Sequence, residues 1–132
     1  MADTLQFDLV SPERMLASLQ ATQVELPGAA GDMTAMPDHA PILTTLRPGI
    51  VRVHAGAAVT EYFLTGGFAE LSGSSLSVLA ENAVPRSEVT RGMLDAALAA
   101  AEAASADATD ESRTLAALQV NDMKTLIEVL GL

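Results

Sequence analysis

All the prolines and all the aromatic residues of this chain lie at or before Pro85, and of the 9 glycines only Gly92 and Gly131 come after it. The remainder is alanine-rich and free of proline. Proline fixes φ and removes an amide donor, so it marks strand edges and loops and is kept out of helix interiors. A segment punctuated by Pro and Gly, followed by one without such punctuation, predicts a β domain and then helices. The boundary near Pro85 divides the chain into residues 1–85 and 86–132.

Within the first part, short apolar runs are separated by turn residues. Leu5 to Val10 alternates apolar and polar side chains, the pattern of a half-buried strand, and Ser11-Pro12-Glu13-Arg14 breaks it. Leu16 to Leu26 reads as one weakly alternating strand that stops at Pro27-Gly28. Ala29 to Asp32 reads as a small-residue turn and Met33 to Met36 as a short strand. The stretch from Gly31 to Val53 is the most specifically ordered, with turn signals at Pro37-Asp38 and Pro48-Gly49 between apolar runs. Gly49 is expected to take positive φ there, and Gly66-Gly67 is expected to close a hairpin. Val59 to Leu64, Phe68 to Leu71 and Leu76 to Glu81 complete the strands. Their spacing predicts a β-sandwich, or flattened barrel, of roughly 80 residues.

In the second part, Ser87 is the expected N-cap of a helix running from about Glu88 to Ala104, with Glu88 favoured at the positive helix end. Val89, Met93, Ala97 and Ala101, widened by Leu94 and Leu98, form its apolar stripe. Ser105 to Asp110 is a short polar connection. A second helix follows to about Leu130, closed by Gly131. Its residues Ala116, Val120, Met123, Ile127 and Leu130 are spaced four and three apart, the spacing of a packing seam. The expected architecture is therefore a β-rich two-part chain: an N-terminal β-sandwich followed by a C-terminal antiparallel α-helical hairpin. Alanines bury little area each, so the hairpin should be held weakly.

Composition narrows the chemistry. The formal net charge of −10 repels phosphate backbones and anionic lipid, which argues against nucleic-acid binding and direct membrane insertion. No run reaches the ~20 apolar residues of a membrane helix, and the N-terminus lacks the basic and apolar regions of a signal peptide. The chain reads as soluble and cytoplasmic, with any membrane association made through a protein partner. Cysteine is absent, which removes disulfides, thiolate metal sites and cysteine catalysis. The histidines, His39 and His54, lack metal-ligand spacing, and His54 reads as a surface turn residue. The acidic residues are dispersed without calcium-loop spacing, so no metal or cofactor is expected. Met33 and Met36 suit either core packing or a soft interaction surface. From the residues alone two alternatives stay open. One is a free-standing β-sandwich interaction module whose hairpin dimerises through its seam. The other, more remote, is a small hydrolase using Asp38 and His39.

The order of short motifs carries a resemblance. Ser11-Pro12-Glu13 follows the first strand, and Leu26-Pro27-Gly28 and Gly31-Asp32 precede Pro37-Asp38-His39-Ala40-Pro41. Leu46-Arg47-Pro48-Gly49 leads into Ile50-Val51-Arg52-Val53. Gly66-Gly67-Phe68-Ala69-Glu70-Leu71 and Val78-Leu79-Ala80-Glu81, leading to Ala83-Val84, complete the set. Together these resemble the epsilon subunit of bacterial F-type ATP synthases, over about Leu5 to Val84. The resemblance implies a non-catalytic central-stalk subunit, peripheral on the cytoplasmic face of the inner membrane. Its partners would be the gamma subunit and the polar loops of the c-ring, helping to couple proton translocation to ATP synthesis. It implies a c-ring-facing contact at Gly31, Asp32 and Met33, and a gamma-facing contact at His39, Ala40, Pro41, Leu43 and Thr44. It further implies contact of the hairpin with the alpha and beta subunits. Two departures stand out. Asp38 replaces the glycine of the family's Pro-Gly-His. The Asp-x-x-Arg pattern by which some members bind ATP is missing at Thr90-Arg91-Gly92-Met93. With only Arg86, Arg91, Arg113 and Lys124 as cations, the hairpin is expected to inhibit ATP hydrolysis weakly or not at all.

Overall fold

The computed structural model describes residues 4–29, 31–37 and 39–131, with the side chain of His39 outside that set. Asp38, the proposed partner of a histidine base, lies outside the described residues. The chain forms two compact units, Met1–Ser87 and Glu88–Leu132. The first contains strands β1 (Leu5–Val10), β2 (Met15–Ala21), β3 (Gln23–Gly28), β4 (Gly31–Ala35), β5 (His39–Leu46), β6 (Gly49–Ala55), β7 (Ala58–Leu64), β8 (Gly67–Gly73), β9 (Ser75–Ala80) and β10 (Ala83–Pro85). The second contains α1 (Arg91–Ala106) and α2 (Arg113–Leu130), which pack against each other.

The strands hydrogen-bond in the order β10-β7-β6-β3-β5-β8-β9-β1-β2, with β4 attached to β3. The pairing of β1 with β9 is parallel and the others described are antiparallel. The sheet folds over on itself between β3 and β5, which share a single register pair, Gly28 with Leu46. The result is a flattened, nearly closed barrel, as the strand spacing predicts. Alternation fills it. Leu5, Phe7 and Leu9 are fully buried and face Leu76 and Val78 of β9 and Leu71 of β8 within one core cluster. Each such side chain contributes about 1.5–3 kcal/mol of burial.

The structure corrects several local expectations. The segment Leu16 to Leu26 is two strands, not one. Ala17 and Ala21 are buried at odd positions and Val24 and Leu26 at even ones, so the alternation changes phase at Thr22. There the chain passes between layers, and Thr22 donates its backbone N–H to the His54 carbonyl at 2.7 Å. Gly31-Asp32 belongs to β4 and His39-Ala40-Pro41 to the start of β5, where the register shifts between His39 and Ile42.

Gly66-Gly67 is not a hairpin turn, and Pro48-Gly49 likewise joins strands that do not pair with each other. β6 pairs with β3 and β7, while β8 pairs with β5 and β9, so both dipeptides carry the chain from one layer to the other. Gly49 does not take positive φ. It is small because a Cβ there would stand 2.9 Å from Pro27 Cβ. Gly67, at φ +148°, leaves room for the backbone of β9: a Cβ would fall 2.1 Å from the Leu79 carbonyl oxygen.

At the boundary of the two units, Ser87 lies in a 3-10 turn over Arg86–Glu88, and α1 starts later. Thr90 is its N-cap, its hydroxyl accepting the Met93 N–H at 3.2 Å, which satisfies one of the orphan donors of the first turn. Met93 therefore falls in the first turn and is exposed, whereas Leu94 is fully buried. Gly131 closes α2 with a left-handed conformation at φ 65°, as the sequence predicts.

Substituting Gly67→Ala should cost about 3 kcal/mol or more, because both the positive φ and the backbone contact forbid a Cβ. Gly73→Ala, at φ 59° with open space around it, should cost about 1 kcal/mol. Urea denaturation of the two variants compares them directly; equal losses contradict the crossing geometry. A second expectation concerns Tyr62, whose burial raises its phenol above the ordinary value. The folded chain then resists ionisation that the unfolded chain undergoes, so this residue's contribution is intact below the ordinary tyrosine range and is lost as pH climbs through it. Tyr62→Phe should flatten the alkaline fall of the melting temperature measured above about pH 10.

Candidate functional site

Cross-strand neighbours share a face, so register alone maps the outer surface of β5, β8, β9, β1 and β2. Thr45 opposes Phe68, Phe68 opposes Leu79, Leu79 opposes Val10, and Val10 opposes Met15. Phe68 is 54 % exposed, Leu79 58 % and Met15 59 %, with Val10 half-buried between them. Four adjacent strands thus carry one apolar row, spanning about 14 Å at the usual strand spacing. The next row is Leu43, Glu70, Ser77, Asp8 and Ser18 in register. Leu43, 73 % exposed, adds an apolar end to it.

From Asp8 and Ser18 of this second row onward, the face becomes a connected polar ladder. Gln20 Nε2 donates to Gln6 Oε1 at 2.6 Å, Gln6 Nε2 donates to Ser18 Oγ at 3.0 Å, and Ser18 Oγ donates to Asp8 Oδ1 at 2.6 Å. The outer surface therefore grades from apolar to polar along the strand direction. A sheet face that only meets water favours polar residues throughout, whereas an apolar centre with a polar rim is the composition of a protein contact.

The expected contact residues fall in different places. Ala40 and Pro41 are exposed at the start of β5, and Leu43 lies on the open face just described. Thr44 does not join Leu43. It is half-buried opposite the buried Ala69, because adjacent strand residues point to opposite faces. The His39 backbone pairs with Gly73, and its side chain lies outside the described residues.

Gly31 and Asp32 are exposed at the tip of the β3–β4 hairpin, while Met33 turns inward against the core cluster. Asp32 is not a bare carboxylate: its Oδ1 receives Nη2–H of Arg47 at 3.1 Å. His54, expected in a surface turn, lies in β6 with Nε2 2.7 Å from Glu25 Oε2. Arg52 completes this cluster by pairing with Glu61 at 3.0 Å.

In the hairpin, Ala116 and Met123 are buried and Val120, Ile127 and Leu130 half-buried. Leu115, Leu118 and Val129 are exposed on α2. Among the described residues no group of three His, Asp or Glu side chains could hold a metal ion. No helix among them is long and apolar enough to cross a membrane. The row through Val10, Met15, Phe68 and Leu79 was not singled out from the sequence. Phe68-Ala69-Glu70-Leu71 shows clean alternation there, but only the register shows that Phe68, Leu79, Val10 and Met15 are neighbours.

A flattened β-barrel carrying a two-helix hairpin, with an open apolar sheet face, is the class of molecule these features define. Residues 4–86 match the family of the ATP synthase delta/epsilon chain, beta-sandwich domain. The chain belongs to this family, the one that the ordered motifs between Ser11 and Val84 resemble. The ATP synthase epsilon chain of Ruegeria sp. strain TM1040 is 67 % identical over 95 residues, covering 72 % of this chain and 69 % of the relative. The ATP synthase epsilon chain 1 of Cereibacter sphaeroides is 54 % identical over 126 residues, 96 % of each chain. The fold is shared with a chain of the Euglena gracilis mitochondrial ATP synthase OSCP/F1/c-ring structure. That match has a TM-score of 0.74 at 21 % identity, over 98 % of this chain and 83 % of the other. A chain of the Tetrahymena thermophila mitochondrial ATP synthase central stalk and c-ring structure aligns with a TM-score of 0.57 at 16 % identity, over 66 % of this chain and 70 % of that one.

Proposed function

We propose that this chain is the non-catalytic epsilon subunit of the central stalk of an F-type ATP synthase, joining the gamma subunit to the polar loops of the c-ring. The observation that carries the reading is the exposed apolar row of Val10, Met15, Phe68 and Leu79, in a chain of the delta/epsilon family. Gamma docks on this face, with Leu43, Ala40 and Pro41 at its margin. The tip of the β3–β4 hairpin, led by Asp32, meets the c-ring. A stiff sheet suits this task, since a rotor adaptor must carry torque between two contacts without bending. The site is the cytoplasmic face of the inner membrane, where the chain is held through its partners. The charge of the hairpin supports a small role in regulating ATP hydrolysis: residues 86–132 carry four cations, Arg86, Arg91, Arg113 and Lys124, against eight acidic residues. The reading as a dimer formed through the helical seam is disfavoured, because Ala116 and Met123 are already buried within the single chain.

The double variant Phe68→Glu, Leu79→Glu tests the docking face. Both positions are exposed, so the isolated chain should lose no more than about 1 kcal/mol of stability. Co-purification with gamma should fall at least about tenfold, the effect of 1.4 kcal/mol, as charges are forced into an apolar contact. Undiminished retention of gamma by a folded variant contradicts the assignment.

A further inference from the structure

We infer that Arg47 is a positioning residue that locks the β3–β4 hairpin tip and presets the direction of Asp32 for docking. This rests on the proposed contact of that tip with a cationic or polar loop of the partner ring. The need for a lock follows from topology. β4 pairs with β3 and, among the described residues, with no other strand. β4 is thus held along one edge only, and its end at Gly31 and Asp32 is the part free to move against β3. The contact proposed for Asp32, at Gly31 to Met33, lies beside the hairpin turn, where only Met33 packs against the core.

Backbone bonds tie the β3 side of the tip to Thr45 and Arg47, and the Arg47 side chain adds an attachment on the β4 side. Its guanidinium reaches two parts of the hairpin at once. Nε–H donates to the Gly28 carbonyl at 2.9 Å, and Nη2–H donates to Asp32 Oδ1 at 3.1 Å. Gly28 ends β3 and Asp32 lies in β4, so one planar fork bridges both strands of the hairpin across its turn. Only arginine combines these geometries; a lysine ammonium is a point donor without a fixed fork.

The backbone around Arg47 is itself fixed. Its own N–H donates to the Pro27 carbonyl at 2.8 Å, and the Ala29 N–H donates to the Thr45 carbonyl at 2.9 Å. Gly49, two residues on, fits against the Pro27 ring. The root of the side chain is therefore anchored to the same strand that its tip restrains. The Arg47 side chain is 32 % exposed and the Asp32 side chain 87 % exposed. The tether holds one carboxylate oxygen and leaves most of Asp32 presented to solvent. An exposed ion pair alone adds little to stability. What the tether supplies is orientation, lowering the ordering cost of the tip when it binds.

Three full-length variants, Arg47→Gln, Arg47→Lys and Asp32→Asn, together with the double variant Arg47→Gln, Asp32→Asn, separate the possibilities. Cooperative thermal melting first establishes that each is folded. Amide hydrogen exchange on the isolated chain then reads the tip, and retention on the assembled ring-and-stalk complex reads docking. Arg47→Gln should speed exchange at Ala29, Asp32 and Met33 about tenfold, the scale of one charge-assisted hydrogen bond, with β8 and β9 unchanged. It should also weaken retention, with partial recovery in Arg47→Lys. In the double variant the two losses should be non-additive, since Arg47 acts through Asp32. Unchanged tip exchange in Arg47→Gln, or strictly additive losses, overturns the inference. Full retention of Asp32→Asn, with a tip that Arg47→Gln nonetheless frees, overturns the docking role of the tip and leaves Arg47 as a structural clamp. The failure of the lock and the failure of the contact are thus distinguishable.

Discussion

The molecule depends on one corner, where the chain leaves β5, turns through Arg47 and Pro48, and enters β6 alongside β3. β3 and β5 share a single register pair, so the two layers are joined there by packing and a few hydrogen bonds rather than by a long ladder. Gly49 gives up its side chain to seat Pro27, and Arg47 ties its backbone to Pro27 and its guanidinium to Gly28 and Asp32. A bulkier residue at Gly49 would lift β6 from β3, and the layers could not close over Leu5, Phe7 and Leu9. The same corner therefore sets the core and holds the tip of the exposed hairpin.

Closing the layers this way leaves one sheet face to be used. The inner side of β1, β8 and β9 is occupied by the core, Phe7 with Leu, Val and Ala residues. Its outer side carries the Phe68–Leu79–Val10–Met15 row beside a polar ladder whose members satisfy one another's hydrogen bonds. In the proposed role this division matters. The apolar row contributes affinity for a partner, and the cross-linked polar side chains of Gln6, Asp8, Ser18 and Gln20 keep the rest of the face rigid and wet. The Asp32 tip adds a second contact that is small, charged and held from one side by Arg47.

The β-then-α division was legible from the placement of Pro and Gly, because these residues act through local backbone physics that needs no partner. β1 was legible from its alternation and the end of α2 from Gly131. What stayed hidden required knowledge of which strands are neighbours. Gly66-Gly67 looks like a hairpin turn in sequence, yet Gly67 answers to the Leu79 carbonyl on β9, the strand that pairs with β8. Leu16 to Leu26 looks like one strand unless the phase change at Thr22 is weighed above its overall alternation. Thr44 is grouped with Leu43 by the family resemblance, although successive strand residues face opposite ways. The helix start was misplaced because Ser87 and Thr90 are both good caps, and only the geometry shows which hydroxyl accepts a helix amide.

The central claim is that the outer face of β8, β9, β1 and β2 is the surface covered on assembly. Oxidative footprinting of side chains, comparing the isolated chain with the intact ATP synthase, measures this directly. Labelling of Met15, Phe68 and Leu79 should fall about tenfold in the assembled enzyme, as their exposed area becomes interface core. Equal labelling of these residues in both states, with protection appearing instead at Leu115, Leu118 and Val129 of α2, would contradict it.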